Sequence, residues 1–373
     1  MKTALLHYWM INNRGGEKVL SALGEMLPEA DIYTHAFGEK MREDWGGNWW
    51  HGHKVHETFI AGLPRGRKHP QMYLPLMPMA QRSMNLDGYD LIVSSESGPI
   101  KDIKKPKGAR HICYCHTPMR YLWDMKDEYF RTADWKGKLG MTVFLKYLQR
   151  RDKKSADAVD TFVANSMFVA ERIKRIYGRD STVVYPPVDV EYYANEKCKT
   201  ENGDLSKDYY LVAGQLTSYK KPDLAVEACH RLGRRLIVTG DGDMLNGFRK
   251  LNYPGVKVVG RVTDELLRKL YTNAKALIFP GVEDFGIVPI EAQAAGTPVI
   301  AIGKGGALET VVDGETGLFF KEQTVESLCA AIEEFEGGTL LDSAEACRAN
   351  AARFTKERFV DEMTKIIYHY ASA

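Results

Sequence analysis

Residues Gly281–Ala301 read GVEDFGIVPIEAQAAGTPVIA. Two acids, Glu283 and Glu291, stand eight residues apart, with Phe285-Gly286-Ile287 and Pro289 between them. One straight helix through both acids would carry a glycine and a proline in its interior, where each weakens it. The stretch therefore reads as a strand, a tight glycine turn and a helix that opens at Pro289 and runs into the alanines. A strand that ends in a glycine loop and feeds a helix is the repeating piece of a parallel sheet covered by helices.

That piece recurs on both sides. YYLVAG (209–214), RLIVTG (235–240), VKVVG (256–260) and ALIFPG (276–281) read as strands ending at glycine, followed by TPVIAI (297–302) and GLFF (317–320). Helical periods such as LAVEACHRL (224–232) and DELLRKLYTNA (264–274) lie between them. Such a sheet is Rossmann-like and binds its ligand beyond the carboxyl ends of its strands. The first half repeats the pattern with TALLHYW (3–9), DLIVSS (90–95), RHICYC (110–115) and TFVAN (161–165). Gly15-Gly16 opens a helix with Val19, Leu20, Leu23 and Leu27 at helical spacing, and Ser166 N-caps another carrying Val169, Ile173 and Ile176.

A chain of 373 residues exceeds one ordinary core. The two prolines of STVVYPPVD (181–189) read as a hinge, which predicts α/β domains over 1–187 and 188–354. The last pattern, FTKERFVDEMTKIIYHY within about 355–373, either caps the second domain or crosses back to the first.

Hydrophobic content of 44% and charged content of 27% fit a soluble globular protein. No apolar run approaches the roughly 18 residues that span a bilayer. MKTALLHYWMINN reads as a first strand, not as a signal peptide. Six cysteines in this length do not form a disulfide framework and predict a reducing cytoplasm. Residues 1–185 carry 29 Lys+Arg against 21 Asp+Glu, and residues 186–373 carry 22 against 28. A basic half and an acidic half either meet different partners or are two solvated surfaces. No nucleic-acid partner is expected.

Three glycine features stand where ligands bind: Gly15-Gly16, Phe285-Gly286-Ile287, and the loop of Gly303, Gly305 and Gly306. Amides at such turns and helix starts approach phosphate closely. Lys220 and Lys221, after strand YYLVAG, supply charge for a diphosphate, unless they are simply a solvated turn before Pro222.

With these residues in view the chain resembles the retaining glycosyltransferases of family 4, which have the GT-B architecture of two Rossmann-like domains facing each other across a cleft. The likeness rests on Glu283 to Glu291 as an E-x7-E pair, on Gly214-Gln215-Leu216 followed by Lys220, on Gly240-Asp241-Gly242, and on Asp313-Gly314-Glu315-Thr316-Gly317-Leu318. The first half agrees more loosely, through Gly15-Gly16-Glu17, His116 and VANSMFVAERI with VVYPPVD. By this resemblance Glu283 contacts hydroxyls of the donor sugar and Glu291 the ribose. The amides of Phe285, Gly286 and Ile287 approach the sugar and diphosphate, and Arg261-Val262 lies beside the base. Gly15, Gly16, Gln215, Lys221, Gly240 and Asp241 complete the donor side. Lys220 and His116 act with Glu283 in catalysis, and Arg120, Trp123 and Asp124 of HTPMRYLWD line the acceptor side. Gln215 stands where the family usually has arginine, so a bidentate cation is replaced by a neutral amide.

The resemblance also implies a metal-independent hexosyltransferase of polysaccharide biosynthesis that needs no cofactor. The nucleotide-sugar is its substrate, with GDP-mannose as first choice, and a glycan, lipid-linked, is its acceptor. UDP-sugar transfer, UDP-GlcNAc 2-epimerisation and nucleotide-sugar sensing without turnover are the alternatives. A dehydrogenase is disfavoured because N-N-R-G-G replaces the G-x-G-x-x-G loop. His111, Cys113 and Cys115 alternate on one strand and read as buried residues, not zinc ligands. Two basic stretches remain, RGRKHPQMY (65–73) and KGKLGMTVFLKYLQRRDKK (136–154). The second mixes cations with Leu139, Met141, Val143, Phe144, Leu145 and Leu148, and suits either an ordinary outer helix face or peripheral contact with the inner face of the plasma membrane.

Overall fold

Apolar runs too short for a helix and rich in branched side chains become strands buried on both faces, as parallel sheets require. The computed structural model describes residues 1–45, 47, 49–132, 135–194, 208–339 and 343–371. Residues 195–207 and 372–373, which fall in the predicted domains, and the Met141 side chain lie outside that description. The chain divides into two compact units, Met1–Pro187 with Phe359–Ala373, and Val188–Arg358.

The first unit holds β1 (Thr3–His7), β2 (Asp31–Thr34), β3 (Trp49–Trp50), β4 (His53–Glu57), β5 (Leu91–Glu96), β6 (Arg110–Cys115), β7 (Thr161–Ala164) and β8 (Ser181–Val183). They form one sheet in the order β3-β4-β2-β1-β5-β6-β7-β8, parallel except at β3–β4. The chain leaves β1 toward β2 and returns on the other side at β5. The crevice of this unit therefore opens between the ends of β1 and β5. The second unit holds β9 (Tyr209–Gln215), β10 (Arg235–Asp241), β11 (Val256–Gly260), β12 (Leu277–Phe279), β13 (Val299–Ile302) and β14 (Gly317–Phe320), all parallel, in the order β11-β10-β9-β12-β13-β14. Its strand order reverses between β9 and β12.

Several expectations need adjustment. The helix after the glycine turn begins at Ile287, two residues before Pro289, because a proline in the first turn gives up only an amide that has no helical partner. The strand drawn through ALIFPG stops at Phe279, before Pro280, and the one drawn through TALLHYW stops at His7. Strands β2, β3 and β4 have no counterpart in the pattern reading, and β8 opens the stretch read there as a hinge. DIYT is too short to show a period, and HKVHE hides its buried His53 among polar letters. The His53 ring is buried because its Nδ1 bonds Ala30 O at 2.8 Å.

The Lys356–Ala371 helix turns Phe359, Met363 and Ile367, four residues apart, onto the core that holds Leu5, Val19 and Tyr114. It crosses back to the first unit. Cys113 and Cys115 are fully buried against Phe162 and Val169, and His111 Nε2 pairs with Ser94 Oγ at 2.9 Å. The basic stretch 136–154 lies in one helix, Trp135–Ser155. In the other, Arg67 is tied to Glu57 at 3.0 Å.

Two fully buried histidines, together with His116 described below, make stability depend on pH. Burial pushes His35 down to about 4, with the Pro99 carbonyl opposing, and pushes His111 down to about 3, with Lys105 adding to the effect and Asp160 opposing it. Below the ordinary histidine value near 6.5 the unfolded chain takes up protons that these rings refuse, so their stabilisation is lost as pH falls from 6.5 toward 4. Each costs about 2 kcal/mol between pH 7 and 5. Glu96, raised to about 7, works in the opposite direction and cancels only one of them. Urea midpoints are expected to fall steadily from pH 7 to pH 5; a flat profile would show that these rings are not held neutral.

Candidate functional site

In the first unit the crevice end of the sheet brings two histidines to one serine. His7 ends β1, Ser95 lies near the end of β5, and His116 follows β6. Ser95 Oγ is 3.1 Å from His7 Nδ1 and 2.8 Å from His116 Nε2. On its far side His7 Nε2 is 3.8 Å from Glu17 Oε1, and Glu17 Oε2 accepts the Arg14 amide at 3.0 Å, capping the Gly15–Met26 helix. With its Nε2 proton toward this carboxylate, His7 would accept the serine proton on Nδ1. Ser95 would then accept from His116 Nε2–H, which leaves His116 Nδ1 as an acceptor. Loss of solvation, with His7 beside it, pushes His116 down to about 3 and keeps the ring neutral near pH 7. Gly16 lets the helix start approach closely: a Cβ there would lie 3.0 Å from Tyr8 Oη and 3.8 Å from His116 Nε2. Gly15 is the first residue of that helix.

The residues read as the acceptor side have other contacts as well. Trp123 Nε1 donates to Asp152 Oδ2 at 2.7 Å. Asp124 pairs with Arg172 Nε at 2.6 Å and with an Arg175 guanidinium nitrogen at 2.7 Å. Against the burial that opposes them, these two arginines hold the Asp124 carboxyl below its usual range. The half-buried Arg120 accepts the Met125 amide on its carbonyl at 2.9 Å.

In the second unit the reversal between β9 and β12 brings Lys220 and Glu283 together. Lys220 closes the short turn Ser218–Lys220 after β9, and Glu283 follows β12. Lys220 Nζ is 2.8 Å from Glu283 Oε1, with both side chains mostly covered. Gly281 makes this approach possible, since a Cβ there would stand 2.7 Å from Lys220 Cα. The glycine loop after β13 is fitted to the same segment. Gly306 N donates to Glu283 O at 2.9 Å, and a Cβ on Gly305 or Gly306 would meet the backbone of Glu283 or Phe285 within 2.6 Å.

The Ile287–Ala294 helix starts from Gly286, whose left-handed φ of 96° other residues rarely adopt. Phe285 turns its ring into the core against Phe354, with centroids 5.5 Å apart, so its amide and not its side chain is placed at the helix start. Glu291 lies one turn further on, is buried, and accepts from Tyr271 Oη at 3.2 Å. Burial first, then Glu291, raises both Tyr193 and Tyr271 well above the ordinary tyrosine value and keeps them protonated donors.

The remaining donor-side residues spread along the strand ends. Gln215 ends β9 opposite Asp241 at the end of β10. The Asp241 carboxylate accepts the Gly242 amide at 2.8 Å. Gly240 lies flush against β9, where a Cβ would strike Gly214 O at 1.7 Å. Lys221 takes a left-handed φ of 53° at the start of the Pro222–Arg231 helix. Arg261 and Val262 follow β11, two strands and thus roughly 10 Å from β9.

Sequence reasoning missed His7, Ser95, Gly281, Tyr193 and Tyr271. His7 carried a signal, because it ends the first strand, whose loop leads to Gly15-Gly16, as His116 follows another. The tyrosines gave none: only the packing of two helices brings them to Glu291.

Two family models match the chain in succession. The one described as Glycosyltransferase Family 4 covers residues 13–192, and the one described as Glycosyl transferases group 1 covers residues 195–354. Solved structures match the whole chain: the sucrose-phosphate synthase of Thermosynechococcus elongatus at a TM-score of 0.75 and 18% identity, over 100% of both chains. The chain is glycosyltransferase family 4-like, with the GT-B fold. HepE of Anabaena, solved in complex with UDP, gives a TM-score of 0.70 at 17% identity, over 99% of this chain and 100% of that one.

Among curated relatives, the D-inositol 3-phosphate glycosyltransferase of Mycobacteroides abscessus is 32% identical over 203 residues, 49% of this chain and 46% of its own. The GDP-mannose-dependent alpha-(1-6)-phosphatidylinositol monomannoside mannosyltransferase of Mycobacterium tuberculosis is 28% identical over 225 residues, 54% of this chain and 57% of its own. The chain thus spans about half the length of the curated relatives it matches. Among the described residues no helix is long and apolar enough to cross a membrane.

Proposed function

We propose that this chain is a retaining hexosyltransferase that moves mannose from GDP-mannose to a glycan acceptor, the acceptor carried on a lipid and the reaction cytoplasmic. The observation that carries the reading is the Lys220–Glu283 pair at the strand-order reversal of the second unit. A bound sugar diphosphate separates the partners. The ammonium takes the phosphate oxygens, and the carboxylate takes sugar hydroxyl protons. The mannosyltransferase name of one relative supports the donor.

In the transfer, the bond from the anomeric carbon to the diphosphate oxygen breaks, and its electron pair leaves with the phosphate. The acceptor oxygen bonds to the same face of that carbon and gives its proton to the departing phosphate oxygen. Lys220 and the amides at the Gly286 turn stabilise the charge that develops, so the step as written needs neither a metal nor a cofactor. Glu291, with Tyr193 and Tyr271 around it, is assigned to the ribose. The acceptor belongs to the first unit, where the free nitrogen of neutral His116 accepts a hydroxyl hydrogen.

Incubation with GDP-mannose, UDP-glucose and UDP-GlcNAc in turn tests this. GDP release from the first alone, abolished by Glu283→Ala, is expected. UDP release alone would overturn the mannose assignment. Binding without any release would make the chain a nucleotide-sugar sensor.

A further inference from the structure

The Trp135–Ser155 helix turns apolar side chains outward. Trp135, Leu139, Val143 and Tyr147 follow one another at four-residue spacing and are 71%, 59%, 60% and 46% exposed. Four-residue steps drift slowly around a helix, so the four form one stripe about 120° wide and about 18 Å long. Phe144 widens it on one side. Tyr147 also lines a shallow hollow with Met79, itself 58% exposed, and with Arg82, Lys104 and Arg151. The apolar surface therefore continues past the helix onto a second element.

The exposed charges of this helix have one sign. The helix carries a single acid, Asp152, and that side chain is buried beneath it on Lys101 and Trp123. Lys146, Arg150, Lys153 and Lys154 are exposed on the same helix. An apolar stripe that shares its helix face with exposed cations would repel its image in a second copy of the chain. It complements a surface that is apolar below and anionic above.

We propose that this face docks the protein on a lipid bilayer that displays anionic headgroups. Leu139, Val143, Phe144 and Met79 enter the acyl boundary, and Trp135 and Tyr147 sit at headgroup level with their polar atoms toward water. The lysines keep their ammonium groups among the phosphates while their stems cover apolar surface. The helix lies on the membrane and does not cross it. None of this depends on the transfer chemistry proposed above.

Co-sedimentation with vesicles tests the surface directly. The full chain is expected to pellet with phosphatidylcholine vesicles containing roughly one third phosphatidylglycerol, and to stay in solution with phosphatidylcholine alone. Leu139→Glu with Val143→Glu is expected to weaken the anionic binding by about tenfold or more. Lys146→Glu with Lys153→Glu is expected to weaken it and to reduce its sensitivity to salt. These positions are exposed, and circular dichroism together with the urea midpoint checks that each variant is folded. A chain that ignores both vesicles, or that self-associates through this face without binding either, overturns the proposal. So do variants that bind as the unaltered chain does.

Discussion

Lys101→Met is expected to destabilise the first unit by about 3–5 kcal/mol. Lys101 is 1% exposed, and its ammonium lies between two buried acids. It donates to Glu96 Oε1 at 2.6 Å, to Asp152, and to Tyr177 Oη at 3.2 Å. Asp152 also accepts from Trp123 and, at 2.9 Å, from Tyr177, while Cys113 Sγ lies 3.7 Å from Glu96. Burial lifts Glu96 to about 7, with Lys101 pulling it down and Asp152 pushing it up. Without the ammonium two carboxyl groups remain in the interior, and leaving buried charge uncompensated costs far more than the net worth of the pair. Adding Glu96→Gln and Asp152→Asn removes that charge and is expected to restore much of the loss. Urea denaturation of the single and triple variants measures both effects. A single variant within 1 kcal/mol of the unaltered protein would mean that the cluster is not ionised as described.

Lys220→Ala is expected to lower turnover of the nucleotide-sugar by roughly 10²–10³-fold. A departing diphosphate gains negative charge, and a positioned ammonium in a mostly covered site stabilises that charge without prior rearrangement. Gln215 brings no charge to the neighbouring strand end, so little else on β9 takes over the role. Gly281→Ala is expected to move the rate in the same direction with the lysine still present, because its Cβ would crowd the Lys220 backbone at 2.7 Å. Steady-state GDP release at saturating donor measures both. A Lys220→Ala enzyme of unchanged kcat would remove the lysine from the chemistry.

The strands that position the second-unit site were legible because they are apolar, bounded by glycine and regularly spaced. The acids at 283 and 291 could be paired on paper for the same reason. Their environments could not. Glu283 meets a lysine because β9 and β12, 66 residues apart at the paired Leu211 and Leu277, become neighbours only when the strand order reverses. Glu291 meets Tyr271 and Tyr193 through helix packing, which has no local signature. In the first half, His116 stood out by its place after a strand, while its partner Ser95 looked like any polar strand residue. Trp123 and Asp124 read as acceptor residues through the family resemblance of HTPMRYLWD. Their bonds to Asp152, Arg172 and Arg175 come from elements 29 to 51 residues away.

Calorimetric titration of GDP into the unaltered protein, Lys220→Ala and Glu283→Ala tests the central claim most directly. If the ammonium holds the diphosphate and the carboxylate holds only the sugar, Lys220→Ala weakens GDP binding by about tenfold or more while Glu283→Ala leaves it nearly unchanged. GDP bound equally well by the protein without Lys220 would contradict the account.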